Sequence, residues 1–192
     1  MAITSTTILH LKEGKFKTSY HLTDYGEVIS FSIGDVKNSI PIVRLHSACL
    51  FGEAFLSNHC DCFEQLHKSM SLIKKHRCGV VIYGFQEGRG LGLEKKIRAM
   101  EIQRAENLDT VEAFKKMGFP SDLRKYDAMI EALNDLKINK NIILISNNPE
   151  KIGSLEKAGY IIKKLIKLKV KPNKLIEHER LTKKNKMGYY ID

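Results

Sequence analysis

No stretch of this sequence approaches the roughly 20 consecutive apolar residues that span a bilayer, which excludes a membrane-crossing helix. The opening segment, residues 1–16, lacks the basic-then-apolar pattern of a secretory signal, so a cytoplasmic setting is expected. Proline is sparse, at four residues, and no long linker, internal repeat or low-complexity segment interrupts the chain. Four cysteines without an export signal argue against a disulfide framework and for metal ligands or core thiols. Acidic residues are in deficit, 22 against 32 Lys and Arg, which leaves a net charge of +10. That balance suits a polyanionic partner: nucleic acid, an anionic membrane or a small phosphorylated substrate.

What is present reads as one large domain. A chain of 192 residues buries roughly two-thirds to three-quarters of its unfolded surface and needs no staples. Short β-rich runs alternate with helical periods. Val28 to Ile33 alternates as a strand, and Ile40 to Leu45 reads as another, with Pro41 at its start. Phe63, Leu66, Met70 and Ile73 recur at helical spacing, which predicts an amphipathic helix over Cys62 to His76. Gly79 to Tyr83 reads as a buried strand. Gly88 and Gly90 lead into a helix that carries Leu93, Ile97 and Met100 on one face. Tyr126, Met129, Ile130, Leu133 and Leu136 mark a further helix, and Ile142 to Ile145 a further strand. Asn148-Pro149 reads as N-cap and first position of a helix that Gly159 ends, before a strand from Tyr160 to Ile162. The alternation predicts a mixed α/β (α+β) domain.

Residues 151–192 carry 12 Lys and Arg against 4 Asp and Glu. This basic end reads as a solvated face or a loosely ordered terminus. Pro172 interrupts it and argues against a membrane-surface helix.

The most informative stretch runs from Arg44 through Cys49 to Cys60-Asp61-Cys62. Cys60 and Cys62 flank one residue, so both thiolates can face one ion, and Cys49 joins them if the segment between folds back. Zinc favours such ligands in a tetrahedral shell. The spacing admits a structural site closed by His46, His59 or His67, a catalytic site with water in the fourth position, or three unrelated core thiols. Cys78 opens a buried strand and reads as a core thiol.

Three polar groups surround this cluster in sequence. Gln86-Glu87-Gly88-Arg89-Gly90 sits between a strand and a helix, where glycines let backbone approach a ligand and Arg89 can clamp phosphate at two points. Asp122-Leu123-Arg124 follows Gly118-Phe119-Pro120 at a predicted helix start, where Asp122 also fits a cap. Ser146 to Pro149, with Lys151, follows the carboxyl end of a strand, a common ligand position in α/β sheets. Each is also an ordinary turn or cap. Together they supply cations and amide donors suited to a triphosphate.

Taken in order, RLHSACLFGEAFLSNHCDCFEQL, QEGRGLGLEKKIRA, LDTVEAFKKMGFPSDLRKYD, ISNNPEK and the late KMG resemble the GTP cyclohydrolase II family. The resemblance runs from Arg44 onward and implies a catalytic domain over residues 1–170 with a basic tail at 171–192. It implies hydrolysis of GTP to formate, pyrophosphate and a diaminopyrimidine nucleotide, one zinc ion per subunit, magnesium at the phosphates, and a homodimer. It makes Cys49, Cys60 and Cys62 the zinc ligands. It assigns nucleotide binding to Arg44, Leu45, His46, Ser47, Ala48, Gln65, Glu87, Gly88, Arg89, Thr110, Ser146 and Lys151. Asp122 matches the family's proton acceptor and Arg124 its proposed nucleophile toward the α-phosphate. A guanidinium with a pKa above about 12 is a poor nucleophile, so clamping transition-state charge is an equal reading.

The chain departs from the family at Met100, where a catalytic tyrosine is usual. A thioether cannot donate a proton as a phenol can. Family members with Met here are associated with a formamidopyrimidine product that keeps the formyl group; Met100 also fits a packing role. Phe114 stands where Asn is usual, Ser146 where Thr is usual, and Tyr189 where His is common. Two other classes remain open: a zinc-stabilised nucleic-acid-binding protein, whose affinity falls with salt and which leaves GTP intact, and a GTP-binding paralogue without turnover.

Overall fold

The computed structural model describes residues 2–191. In chain order the elements are β1 (Ala2–Leu11), β2 (Gly14–Thr23), β3 (Gly26–Ile33), β4 (Ile42–Ser47), α1 (Leu50–Glu53), α2 (Cys62–His76), β5 (Gly79–Gly84), a 3-10 turn (Glu87–Gly90), α3 (Gly92–Glu106), α4 (Thr110–Lys116), α5 (Asp127–Asp135), β6 (Asn141–Ile145), α6 (Pro149–Lys157), β7 (Ile161–Ile166) and α7 (Lys174–Met187). The strands form one seven-stranded sheet in the order β1-β2-β3-β5-β4-β6-β7. β1 to β3 pair antiparallel, and β3 meets β5 antiparallel. β4 runs parallel to β5 and β6, and β6 parallel to β7. The architecture is the mixed α/β class expected.

The period of two along a strand explains the two cores. Val43 and Leu45 of β4 join Val80 and Ile82 of β5 and Leu144 of β6 against Met129 and Leu133 of α5. Ile42, Val81 and Ile145 face the other way and pack on Met70 and Ile73 of α2. Helices therefore cover both faces of the parallel strands. Arg44 and His46 share the register of Ile42, so β4 directs them toward the α2 side.

Local chemistry fixes the helix starts. Asp109 caps α4 by accepting from the Val111 and Glu112 backbone, and Glu112 returns a bond to the Asp109 N–H. Asn148 caps α6, with Pro149 at the first position, as the sequence predicts. Gly159, at φ +80°, lies one residue past the capping Ala158.

Two expectations need correction, and two segments gain detail. Residues before Val28, which the sequence analysis left unassigned, form the β1–β2 hairpin; their polar Ser, Thr and Lys content masks the alternation. The stripe Leu93-Ile97-Met100 is not the buried face of α3: Ile97 is 50% exposed, and Ala99 packs instead with Ala113 and Phe114. Asp122 to Arg124 start no helix. α5 begins at Asp127, and Asp122 accepts from the backbone and side chain of Arg124 instead of capping. The basic end contains α7, with Ile176 and Thr182 buried, and Pro172 lies just before it.

Gly79 shows how tightly β5 meets β4. A Cβ there would press directly on the Ile42 carbonyl oxygen and close on Ile73. Gly79→Ala is expected to cost about 1–3 kcal/mol, read by urea unfolding, because backbone rather than a flexible side chain must yield.

Candidate active site

The loops after the carboxyl ends of β4, β5 and β6 converge at one end of the sheet. β4 sits between β5 and β6, so the strand order reverses at β4, and open α/β sheets take ligands in that crevice. Ser47 Oγ donates to Gln86 Oε1 at 3.5 Å, the Leu50 N–H donates to Glu87 Oε2 at 2.6 Å, and Lys151 Nζ donates to the Leu45 carbonyl at 2.8 Å. These contacts tie the three loops together.

The three expected thiols meet here. The Sγ atoms of Cys49, Cys60 and Cys62 lie within 4.8 Å of one another, with Cys49 and Cys60 at 3.5 Å. The fold-back that joins Cys49 to the pair is short helix α1 and the turn after it. Gly52 of α1 makes room: a Cβ there would lie 2.5 Å from Cys60 Sγ and 3.2 Å from Cys49 Sγ. Hydrogen bonds from Cys60 and Cys62 drive Cys49 strongly toward the thiolate against its burial, and the Lys96 ammonium, 3.3 Å away, adds to this. Cys60, held up to about 11, and Cys62 keep their protons largely because they donate to Cys49 and are buried. A cation lets all three ionise, so the donor set fits a soft divalent metal. Among the described residues no histidine joins the three thiols. His46 is paired with Glu53, His59 with Ser57 and His67 with Glu13.

Beside the thiols lie two buried cations. Arg44 and Lys151 are each 6% exposed. Arg44 donates to Gln65 Oε1 at 2.8 Å and to the Ile145 carbonyl at 3.3 Å, and its Nε has no partner. Gln65 in turn donates to Asp61 at 2.8 Å. Among the described residues neither cation forms an ion pair. Burial lowers the pKa of Arg44; burial, then the charges of Arg44 and Arg124, pulls Lys151 well below the usual lysine range. The arrangement calls for an anion.

Asp122 and Arg124 face each other at 2.9 Å from Arg124 Nε to Oδ1. Burial opposes ionisation of Asp122, but bonds from Arg124 outweigh it and hold the carboxyl below its usual range. Burial likewise opposes the Arg124 charge, yet Asp122 raises its pKa well above the ordinary value. Arg124 Nη2 also donates to Tyr189 Oη at 2.8 Å.

Arg89 sits in the left-handed region, φ +57°, after Gly88 at +60°. That left-handed pair, which costs strain only at Arg89, turns the guanidinium across the Phe114 ring, 5.8 Å from its centroid, and toward α7. It donates to Glu179 Oε1 at 2.8 Å and to the Ser121 carbonyl at 3.2 Å. Thr110 Oγ1 donates to Glu179 Oε2 at 2.6 Å. Arg89 and Thr110 thus meet a carboxylate from α7. Burial would raise the Glu179 pKa, but Lys183 and Arg89 lower it to about 2. Ser146 lies in the loop after β6, accepts from the Asn148 N–H at 3.0 Å, and is buried.

The sequence analysis missed several groups. Lys96 bridges Glu87, at 2.7 Å, and Cys49; its only local signal is its place one turn before Met100 on α3. Glu53 receives both His46, at 2.8 Å, and the Tyr83 hydroxyl, at 2.6 Å. Glu179 has no local signal, being 90 residues from Arg89 and 69 from Thr110.

Fold and site define an α/β domain able to hold a metal ion beside a bound anion. The family profile of GTP cyclohydrolase II matches residues 3–167, and the chain belongs to that family. It is 40% identical over 170 residues to riboflavin biosynthesis protein RibBA of Chlorobium phaeovibrioides, covering 88% of this chain and 41% of that one. It is 44% identical over 181 residues to the RibBA of Staphylococcus epidermidis, covering 93% and 45%. The chain thus spans less than half the length of these relatives. A solved structure of RibBX, a two-domain 3,4-dihydroxy-2-butanone 4-phosphate synthase from A. baumannii, aligns over 87% of this chain and 39% of that one. Its TM-score is 0.44 and its identity 15%, too low to argue from.

Two predictions follow from this geometry. Gly52→Ala is expected to abolish metal retention while leaving the circular dichroism of the sheet and helices intact, as read by elemental analysis of the purified protein. His46 is held neutral chiefly by burial, with a pKa of about 4, against about 6.5 when unfolded. Between those values the unfolded chain holds more proton, so stability falls as pH drops through them, by at most about 3 kcal/mol. Urea unfolding of His46→Gln should show a flatter pH profile over that window.

Proposed function

We propose that this chain opens the imidazole ring of the guanine in GTP by hydrolysis, releases pyrophosphate, and leaves a formamidopyrimidine ribonucleotide. One observation carries the reading: three thiols able to share an ion lie beside two buried cations that form no ion pair among the described residues. Membership of the GTP cyclohydrolase II family supports GTP as substrate. The names of the relatives support a role in riboflavin biosynthesis or in a branch from it.

Cys49, Cys60 and Cys62 would hold one zinc ion per subunit, which supplies Lewis-acid activation of water near neutral pH. Arg44, Lys151 and Arg124 receive the triphosphate, with magnesium screening its charge. Gln65 orients Arg44, and the Leu45 carbonyl anchors Lys151. His46, Ser47, Ala48, Glu87, Gly88, Arg89, Thr110 and Ser146 complete the nucleotide pocket. Asp122 stays a carboxylate, the form that accepts a proton, and holds Arg124 in a two-point clamp. The guanidinium that this pairing keeps charged serves as a clamp on phosphate rather than as a nucleophile. The subunit works within a homodimer.

Met100 lies one turn beyond Lys96 on α3, on the face that reaches the thiols. Without a phenol there, ring opening goes forward and the formyl group stays on the product. Incubation with GTP, zinc and magnesium, followed by mass spectrometry, should give pyrophosphate and a product heavier by one carbon monoxide than the deformylated nucleotide. Free formate should be absent. Met100→Tyr should move the yield toward one formate per pyrophosphate. Equal formate from both proteins would overturn the role of Met100, and intact GTP would overturn the whole reading.

A further inference from the structure

The end of α7 is turned back into the site. Gly188 takes φ +66°, the left-handed conformation that ends a helix at glycine without strain. The Tyr189 N–H then donates to the Lys183 carbonyl at 3.1 Å, and the Tyr190 N–H donates to the Asn147 carbonyl at 2.8 Å. These bonds stitch the last turn to the loop after β6 and aim the Tyr189 ring between Arg124 and Asn148.

The Tyr189 hydroxyl accepts twice, from Arg124 Nη2 and from Asn148 Nδ2, each at 2.8 Å. The Asn148 amide is oriented by its cap, because its Oδ1 already accepts from the Glu150 N–H. Both partners can only donate. A phenol has two lone pairs and one proton, so the Tyr189 proton remains, and no acceptor among the described residues takes it. A second observation points the same way. Arg44 Nε is buried without a partner, and buried Lys151 Nζ spends one of its three protons, on the Leu45 carbonyl. Tyr189 acts electrostatically on Arg44 and Arg124, and both of those act on Lys151. The unspent donors therefore lie within electrostatic reach of one another, and the one carboxylate that acts on both Arg124 and Lys151, Asp122, is already engaged by Arg124.

We infer that the Tyr189 hydroxyl is a phosphate-binding donor, contacting the same polyphosphate that Arg44, Lys151 and Arg124 receive while it holds Arg124 in place. It deepens the GTP reading and rests on it for the identity of the polyphosphate. The probe is inorganic pyrophosphate, with calorimetry on the full chain. Tyr189→Phe keeps the ring and removes the hydroxyl, and pyrophosphate affinity should fall about tenfold or more, as for loss of a hydrogen bond to a charged group. Tyr190→Phe, whose ring is largely exposed beside Lys167, should bind like the parent. Tyr189→His retains an N–H donor and should recover most of the affinity. A measurement on the unaltered chain removes dependence on the folding of any variant: with ¹³Cζ-labelled tyrosine, pyrophosphate should shift the Tyr189 resonance and leave exposed Tyr25 unmoved. Parent-like affinity in a folded Tyr189→Phe, an unmoved Tyr189 resonance, or no pyrophosphate binding by the parent would overturn the inference. A parent that binds pyrophosphate through Tyr189 and returns GTP intact would instead defeat the proposed reaction and leave this site standing.

Discussion

Two buried basic side chains at the carboxyl ends of parallel strands, neither in an ion pair among the described residues, set the terms for the rest of the molecule. Arg44 and Lys151 together carry a desolvation cost that their hydrogen bonds to Gln65, Ile145 and Leu45 only partly offset. A fold tolerates such a pair where a ligand brings the missing charge. The sheet makes the arrangement possible. Five of the six β4 residues are buried, so a guanidinium on that strand is held rigidly from both sides. The loop after β6 brings the ammonium through the first turn of α6, where the Asn148 cap and Pro149 fix its approach.

The thiol cluster depends on the same strand. β4 ends at Ser47, and the chain turns at once into α1, which carries Gly52 under the sulfur atoms. Arg44 and the first of the three thiols are thus neighbours along the chain: four residues separate Arg44 from Cys49. The elements packed around them hold protonation states apart. Asp122 is kept ionised by Arg124, and Glu179 by Lys183 and Arg89, despite burial, and His46 is kept neutral by burial itself. Fixed charges of both signs then meet a ligand without rearranging, which is how preorganised sites act on charge that develops during reaction.

Elements with one dominant period were legible in the sequence. The α2 helix ran over the residues its Phe63-Leu66-Met70-Ile73 spacing marked, and the buried strands β5 and β6 were plain from their apolar runs. The hairpin β1–β2 was hidden because Thr18, Ser19, His21 and Thr23 are buried while Ile8, Leu9 and Leu22 are exposed, which erases the apolar-in, polar-out contrast of a period-two signal. The α3 helix misled for a different reason: Ile97 faces outward and Leu93 and Met100 are only part-buried, while a small residue, Ala99, makes the packing contact. Among polar groups, sequence spacing brought together the thiols because they are close along the chain. It could not bring Glu179 to Arg89 or Tyr189 to Arg124, since those meetings depend on where α7 docks. Local patterns carry no information about that.

The docking of α7 also changes what the charge of the chain means. A surplus of basic residues near the carboxyl end reads most simply as a surface for a polyanion outside the fold. In the folded protein several of those cations are already engaged. Lys183 pairs with Glu179, Lys186 with Asp109 and Glu112, Arg180 donates to the Val170 carbonyl, and Lys151 is buried against the Leu45 carbonyl. A nucleic acid needs a row of cations free to follow a backbone of phosphates. Here the cations at the site without an ion-pair partner among the described residues, Arg44 and Lys151, instead lie within electrostatic reach of each other and of Arg124. Such a cluster gives an extended backbone of phosphates no row to follow.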